Sequence, residues 1–122
     1  MWTLLLVDDN EPVRRTLAAV LGAEGYAVET ASSFAEAREK LVAREGAYSL
    51  VVLDHHLGDG LGTDLIPLVR ERSAETRVVL LSGSDDALAG TGGADGRFTK
   101  GDDFDVMIAL FERLLRPGAA RG

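Results

Sequence analysis

The chain has 122 residues, of which 46% are hydrophobic and 27% charged, and it contains no cysteine. This composition predicts one folded domain with a core of its own, and it excludes a disulfide framework and a thiolate metal site. The net charge of -7 argues against direct binding to nucleic acid, and the lack of a long apolar run predicts a cytoplasmic protein without membrane insertion.

Strand and helix patterns alternate from the start of the chain. The first predicted strand, residues 3–7, is apolar and is followed by Asp8 and Asp9. A proline near the first helical position and apolar residues at helical spacing predict a helix that begins at residues 10–12. A strand at residues 26–30 is less apolar, so we expect it near an edge of the sheet.

The alternation continues through the middle of the chain. A capping box at residues 33–36 predicts the start of a second helix. The third strand is a short, unbroken apolar run, typical of a strand buried on both faces, and it stops at Asp54. A glycine-rich turn and a helix around residues 65–69 follow, and the fourth strand, residues 77–81, ends at Ser82.

The last part of the chain has a weaker pattern. Residues 84–96 are rich in glycine and contain one large apolar residue, so the fourth helix is expected to be short or missing. A short fifth strand at residues 97–99 is followed by Lys100. The last helix has a predicted buried face of four residues, namely Phe104, Met107, Phe111 and Leu114.

Strands that alternate with helices predict an α/β fold with a parallel sheet and helices on both faces. The last residues of parallel strands meet at one edge of the sheet, which brings together five polar residues: Asp8, Asp9, Asp54, Ser82 and Lys100. Two carboxylates about 4 Å apart repel by roughly 4 kcal/mol at an effective dielectric near 20. The cluster therefore requires a raised pKa, a cation, or both.

These residue types fit phosphoryl transfer onto an aspartate. Carboxylate oxygens are the ligands that Mg²⁺ prefers, and Mg²⁺ keeps room for a phosphate. Lys100 can pair with a phosphate oxygen, and the Ser82 hydroxyl can donate to the same group. An aspartate can itself be the nucleophile and form an aspartyl phosphate.

The chain resembles the receiver domain of two-component response regulators over residues 3–116. The matching segments are LLLVDDN, LVVLDHHLGDGLG, VVLLSGS and FTKG, at the first, third, fourth and fifth strands. The resemblance implies a flavodoxin-like, doubly wound sheet of five parallel strands in the order 2-1-3-4-5. It also implies a single domain over residues 1–122, with a core at 3–116 and a tail at 117–122.

The resemblance further implies the roles of the site residues. Asp54 would accept a phosphoryl group from a histidine kinase or a phosphotransfer protein. Asp9, Asp54 and the backbone carbonyl of His56 would bind Mg²⁺, which Mn²⁺ can replace, and Asp8 would act through water. The switch hydroxyl and the phosphate-pairing lysine would be Ser82 and Lys100. An output protein that the sequence does not identify would read the signal.

The sequence departs from the family pattern close to the fifth strand. Gly101 stands where the family usually has proline after the lysine. Arg97 stands where the family usually has an aromatic residue, and Phe98 is next to it. The segment from Ser82 to Lys100, which includes Ser84 and the glycine-rich stretch, is several residues shorter than in the family. Candidate modulators of the switch are therefore Ser84, Arg97 and Phe98.

Two other classes of function remain open at this point. A pseudo-receiver would keep the fold and act as an interaction module without phosphorylation, which the altered output region favours. A hydrolase with an aspartyl nucleophile needs a second carboxylate two residues after the nucleophile, where His56 stands instead, so we expect no turnover of a separate substrate. Strand alternation predicts that His55 and His56 leave the strand end on opposite sides, which argues against a transition-metal site.

Overall fold

The computed structural model describes residues 2–44, 46–82 and 93–115. Its strands are β1 (Thr3–Val7), β2 (Ala27–Ala31), β3 (Leu50–Asp54), β4 (His56–Leu57), β5 (Gly60–Leu61), β6 (Arg77–Ser82) and β7 (Gly96–Thr99). Five of them form a parallel sheet in the order β2-β1-β3-β6-β7, and β4 and β5 form a separate antiparallel hairpin. With the hairpin left out, this is the predicted order 2-1-3-4-5, and the flavodoxin-like fold is confirmed.

The described residues contain four α-helices, α1 (Glu11–Ala23), α2 (Phe34–Ala43), α3 (Ile66–Arg72) and α4 (Phe104–Leu115). The Asn10 side chain caps α1 by accepting a hydrogen bond from the Val13 N–H, and Ser33 caps α2 in the same way from Glu36. Both helix starts were predicted. The predicted short or missing fourth helix falls largely on residues 83–92, which lie outside the described residues, as does the predicted tail at 117–122.

The core consists of two layers, one on each face of the sheet. Alternate residues of each central strand point to opposite faces, and β3 is buried along its whole length. One layer joins the sheet to α1 and α4; its central members are Leu4, Leu6, Val52, Leu17 and Phe111. The other joins the sheet to α2 and α3; its central members are Leu5, Val51, Leu53, Leu41 and Val69. The sheet is therefore doubly wound, as predicted.

The two edge strands are held in different ways. β2 is only partly buried over most of its length, which agrees with its predicted edge position. At the other edge, the N–H of Asp95 donates to the Val78 carbonyl at 2.8 Å, and the Asp95 carboxylate accepts from the Val78 N–H at 2.8 Å. The same carboxylate pairs with Arg70 of α3 at 2.9 Å. This anchor fixes the start of β7 beside β6.

One predicted core residue lies elsewhere. Phe104 is 39% exposed, whereas Met107, Leu110 and Phe111 form the buried face of α4. The reason is position, because α4 begins beyond the carboxyl end of β7. Phe104 instead lines an open cavity of about 250 Å³ whose wall includes Lys100.

The described residues contain no helix that is both long enough and apolar enough to cross a membrane.

Candidate functional site

The carboxyl ends of four parallel strands form the candidate site. Asp8 and Asp9 directly follow β1, and Asp54 ends the neighbouring strand β3. Ser82 ends β6, and Lys100 directly follows β7. Open α/β sheets bind their ligands at this edge. The fold thus brings together five residues that are distant in the sequence.

Three of these residues form a carboxylate cluster. Asp8, Asp9 and Asp54 each offer one carboxylate oxygen within 4.8 Å of the others. Asp8 is fully buried, Asp54 is 6% exposed and Asp9 is exposed. The pKa of Asp54 is raised to about 6. Burial is the main cause and the negative charge of Asp8 is the second, whereas Lys100 lowers the pKa. The cluster therefore attracts a proton or a cation.

The donor set suits a hard divalent cation. Asp8 Oδ1 accepts a hydrogen bond from the Asn10 N–H at 2.9 Å, but the buried Asp8 Oδ2 accepts none from the described residues. Asp8 Oδ2 has an ion pair with Lys100 Nζ at 3.2 Å but no hydrogen bond, so it keeps lone pairs that can bind a metal cation. The side chains of the cluster offer only carboxylate oxygens, which are the preferred ligands of Mg²⁺. The residues present therefore fit a magnesium ion.

Lys100 supplies the positive charge next to the cluster. Its Nζ lies 3.1 Å from Asp54 Oδ1 and 3.2 Å from Asp8 Oδ2, and the second contact is an ion pair without hydrogen-bond alignment. Burial lowers the pKa of Lys100, but the charges of Asp54 and Asp8 raise it by more, so the net pKa is raised. The backbone N–H of Lys100 donates to the Ser82 carbonyl at 2.8 Å, which fixes the base of the side chain.

Ser82 places a hydroxyl group at the same edge. The residue is fully buried, and its Oγ has no hydrogen-bond partner among the described residues. A buried hydroxyl without a partner costs about 1–3 kcal/mol. The Ser82 hydroxyl is thus available to an oxygen atom of a ligand that enters the site.

The segment after Asp54 is held tightly against the sheet. The His55 N–H donates to the Leu81 carbonyl at 2.9 Å, and the Gly62 N–H donates to the His55 carbonyl at 2.9 Å. A Cβ atom at Gly62 would lie 1.9 Å from the backbone oxygen of Asp54, so this close approach requires glycine. His56 begins the hairpin between these two attachment points.

The adjacent histidines do not have the predicted arrangement. Strand alternation predicts opposite sides for His55 and His56, but their ring centroids are 4.5 Å apart with an angle of 54° between the planes. The prediction is wrong because β3 ends at Asp54, so the alternation of a strand does not extend to these two residues. His55 is partly buried and His56 is exposed.

Two of the three candidate modulators lie on β7. Phe98 is buried in the core layer that contains α1 and α4. Arg97 is partly buried on the same strand. Ser84 lies outside the described residues.

Sequence reasoning missed one contact beside the site. The carboxylate of Asp59, in the turn between β4 and β5, accepts hydrogen bonds from the N–H groups of Phe34 and Ala35 at the start of α2. The Asp59-Gly60 dipeptide signals a turn. It does not predict the partners, because these amides are 24 and 25 residues away in the chain.

Comparisons with known proteins give a consistent result. The family model of the response regulator receiver domain matches residues 4–112. The photosynthetic apparatus regulatory protein RegA of Cereibacter sphaeroides is 43% identical over 81 residues, which cover 66% of this chain and 43% of RegA. The acid tolerance regulatory protein ActR of Sinorhizobium medicae is 35% identical over 116 residues, which cover 91% of this chain and 59% of ActR. The chain thus spans about half the length of these curated relatives.

Solved structures agree with the family model. The response regulator TrrA of Thermotoga maritima, determined in complex with Mg²⁺ and BeF, has a TM-score of 0.84 at 28% identity, over 94% of this chain and all of that one. A response regulator receiver domain protein of Clostridium thermocellum has a TM-score of 0.86 over the whole of both chains, and at 19% identity it shows the shared fold. With the family model matching 109 of its residues, from 4 to 112, the chain belongs to the receiver domain family of the response regulators of two-component systems.

Proposed function

We propose that the chain is the phosphoacceptor module of a two-component phosphorelay, in which Asp54 takes a phosphoryl group from a histidine kinase or a phosphotransfer protein. One observation carries the proposal. Three carboxylates lie within 4.8 Å of one another, and the ammonium group of Lys100 lies 3.1 Å from one of them, Asp54. The presence of Mg²⁺ and BeF in the related TrrA complex supports a metal-assisted phosphate site.

In the proposed reaction, a carboxylate oxygen of Asp54 attacks the phosphorus atom of a phosphohistidine on the partner. The O–P bond forms as the P–N bond breaks, and the electron pair of the broken bond returns to the imidazole nitrogen. Lys100 exchanges its contact with Asp54 Oδ1 for a contact with a phosphoryl oxygen. The unpartnered Ser82 hydroxyl donates to another phosphoryl oxygen.

The magnesium ion would be held by Asp9, Asp54 and the backbone carbonyl of His56, with Asp8 acting through water. When bound, Mg²⁺ neutralises negative charge on the transferred group and on the carboxylates. Mn²⁺ also prefers oxygen ligands and would replace it.

The readout is proposed to differ from the usual family pattern. Arg97 and Phe98 occupy neighbouring positions on β7, three and two residues before Lys100. We expect a movement of the lysine to affect both residues through the strand. Ser84 is the third proposed modulator. The proposed partners are the phosphodonor and one output protein, without direct nucleic-acid contact, and the proposed location is cytoplasmic.

The pseudo-receiver alternative finds no support. A module that is not phosphorylated has no need for an aspartate, a lysine and an unpartnered buried hydroxyl at one edge, yet Asp54, Lys100 and Ser82 are all present. The hydrolase alternative still lacks its second carboxylate, because His56 occupies the required position.

Intact mass spectrometry tests the proposal. The protein is incubated with a small phosphodonor such as acetyl phosphate, with Mg²⁺ or with EDTA. We expect a mass gain of one phosphoryl group that requires Mg²⁺ and is absent from Asp54→Asn. A protein that gains no mass with Mg²⁺, or gains it equally in Asp54→Asn, would contradict the proposal. Steady hydrolysis of a phosphate ester would instead indicate a hydrolase.

A further inference from the structure

The turn between β4 and β5 is bonded to the start of α2. Asp59 Oδ1 accepts a hydrogen bond from the Phe34 N–H at 2.8 Å, and Oδ2 accepts one from the Ala35 N–H at 3.1 Å. These two hydrogen bonds lower the pKa of Asp59, so the carboxylate is charged at neutral pH. A negative charge at this end of a helix is also favoured by the helix dipole.

The remaining amides at the start of α2 already have partners within their own segment. The Glu36 N–H donates to the Ser33 side chain at 3.0 Å, and the Glu36 carboxylate accepts from the Ser32 N–H. Asp59 therefore completes a cap that Ser33 and Glu36 begin. It differs from them because it comes from another part of the chain.

The same turn packs against α2 and lies close to the carboxylate cluster. A Cβ atom at Gly60 would lie 2.9 Å from the ring of Phe34, so the turn packs on the first residue of α2. A Cβ atom at Gly58 would lie 3.9 Å from Asp9 Oδ2, so the backbone of Gly58 lies near the exposed carboxylate of the cluster. The turn is thus next to both the helix start and Asp9.

We propose that Asp59 is a positioning residue for the metal site: by fastening the β4–β5 hairpin to the start of α2, it holds the segment that carries the His56 carbonyl in place beside Asp9. This inference rests on the proposed function, since it assumes that Mg²⁺ binds at the cluster. Outer contacts that orient metal ligands typically change metal affinity by tenfold or more when they are removed.

The coupling between Mg²⁺ binding and the hydrogen bonds of Asp59 to α2 is reciprocal. If fastening the hairpin strengthens Mg²⁺ binding, Mg²⁺ binding must strengthen the fastening by the same factor. The N–H groups of Phe34 and Ala35 report on this contact directly, because they donate the two hydrogen bonds. Mg²⁺ should therefore slow their hydrogen exchange, although no atom of α2 is a proposed metal ligand.

The test is an NMR titration of the wild-type chain and three variants with MgCl₂ at physiological ionic strength. Asp59→Ala removes the link. Ser33→Ala removes a cap from the same helix start without touching the hairpin. Asp64→Ala removes an equal charge from an exposed carboxylate shortly after the hairpin. Each titration gives the Kd of Mg²⁺, and amide exchange is followed with and without Mg²⁺.

We expect Asp59→Ala to raise the Kd of Mg²⁺ about tenfold, and Ser33→Ala and Asp64→Ala to change it less than twofold. In wild type, Mg²⁺ should slow exchange at Phe34 and Ala35, and in Asp59→Ala it should not.

Three outcomes concern the role of Asp59 itself. An equal rise in Kd in Asp59→Ala and Ser33→Ala would mean that Asp59 acts only as a helix cap, and an equal rise in Asp64→Ala would mean that it acts only through its charge; either result overturns the proposal. Unchanged affinity in Asp59→Ala also overturns it, while the metal site stands. A wild-type chain that binds no Mg²⁺ would overturn the metal site itself and this proposal with it.

Discussion

At the scale of single residues, the site is unbalanced in charge. Three carboxylates share one nearby ammonium group, that of Lys100, so the site keeps a net negative charge when all four groups are ionised. Burial of Asp8 and Asp54 increases the cost, because low dielectric strengthens the repulsion. Burial is the first cause of the raised pKa of Asp54, and the negative charge of Asp8 is the second. The same imbalance favours the binding of a cation.

The raised pKa predicts how the metal-free protein responds to pH. Folding raises the pKa of Asp54 from 3.8 to about 6, so the folded state binds the carboxyl proton of Asp54 more tightly than the unfolded state does. The stability that this proton contributes is fully present below pH 4. It is lost as the pH rises through 6. Asp54→Asn mimics the neutral form, so in EDTA at pH 7 it should be more stable than wild type, by up to roughly 3 kcal/mol.

Urea unfolding in EDTA between pH 4 and 7.5 measures this difference. The gap between Asp54→Asn and wild type should widen with pH across the acid range and level off above pH 6 to 7. Asp64→Asn is the control, because its carboxylate is exposed. A gap that stays constant with pH would show that Asp54 does not titrate in this range.

At the scale of elements, the segment after β3 is constrained at both of its ends. Backbone hydrogen bonds fix the segment at His55 and Gly62, and the β4–β5 hairpin lies between these two residues. Gly62 also begins the short 3-10 helix that leads into α3. The segment therefore sets both the loop beside Asp54 and the start of a core helix.

Two glycines of this segment should respond differently to substitution. Gly62→Ala would place Cβ at 1.9 Å from the Asp54 carbonyl oxygen, so the backbone must move, and we expect a loss of several kcal/mol of stability. Gly58→Ala meets only an ordinary contact at 3.9 Å and should change stability by less than about 1 kcal/mol. Chemical denaturation measures both variants. Similar losses would mean that the close approach at Gly62 is not a constraint.

At the scale of the whole molecule, the site joins elements that the core holds in place. Leu5 and Leu53 belong to one core layer and Leu6 and Val52 to the other, so β1 and β3 are packed on both faces. This packing fixes the positions of the carboxylates at the ends of the two strands. A ligand that bridges Asp9 and Asp54 therefore stabilises the pairing at the centre of the sheet.

Metal binding should be visible in global stability. Mg²⁺ at ten times its Kd adds about 1.4 kcal/mol to the free energy of unfolding, which corresponds to a rise in Tm of a few degrees. Asp9→Asn removes one proposed ligand and part of the repulsion. We therefore expect it to melt higher than wild type in EDTA and to lose most of the response to Mg²⁺. A variant that melts lower in EDTA and still responds fully would contradict this role of Asp9.

Most of the fold could be predicted from the sequence, and so could the meeting of the polar strand ends at one edge of the sheet. Unbroken apolar runs such as residues 50–53 predict strands buried on both faces, because no polar side chain in them needs water. Asn10 and Ser33 predict two helix starts through local hydrogen bonds. Parallel topology then sends every strand end to one edge, so Asp54 and Lys100 could be placed together without coordinates.

Contacts between segments that no local pattern relates could not be predicted and follow from the three-dimensional fold. Asp59 caps α2 because the fold brings its turn to amides that precede it by 24 and 25 residues. Phe104 fits the helical period of the α4 core face but is exposed, because the helix starts beyond the end of the sheet. The rings of His55 and His56 approach each other because strand alternation stops at Asp54. Periodicity describes a residue within its own element, whereas these three outcomes depend on where that element ends and on what lies next to it.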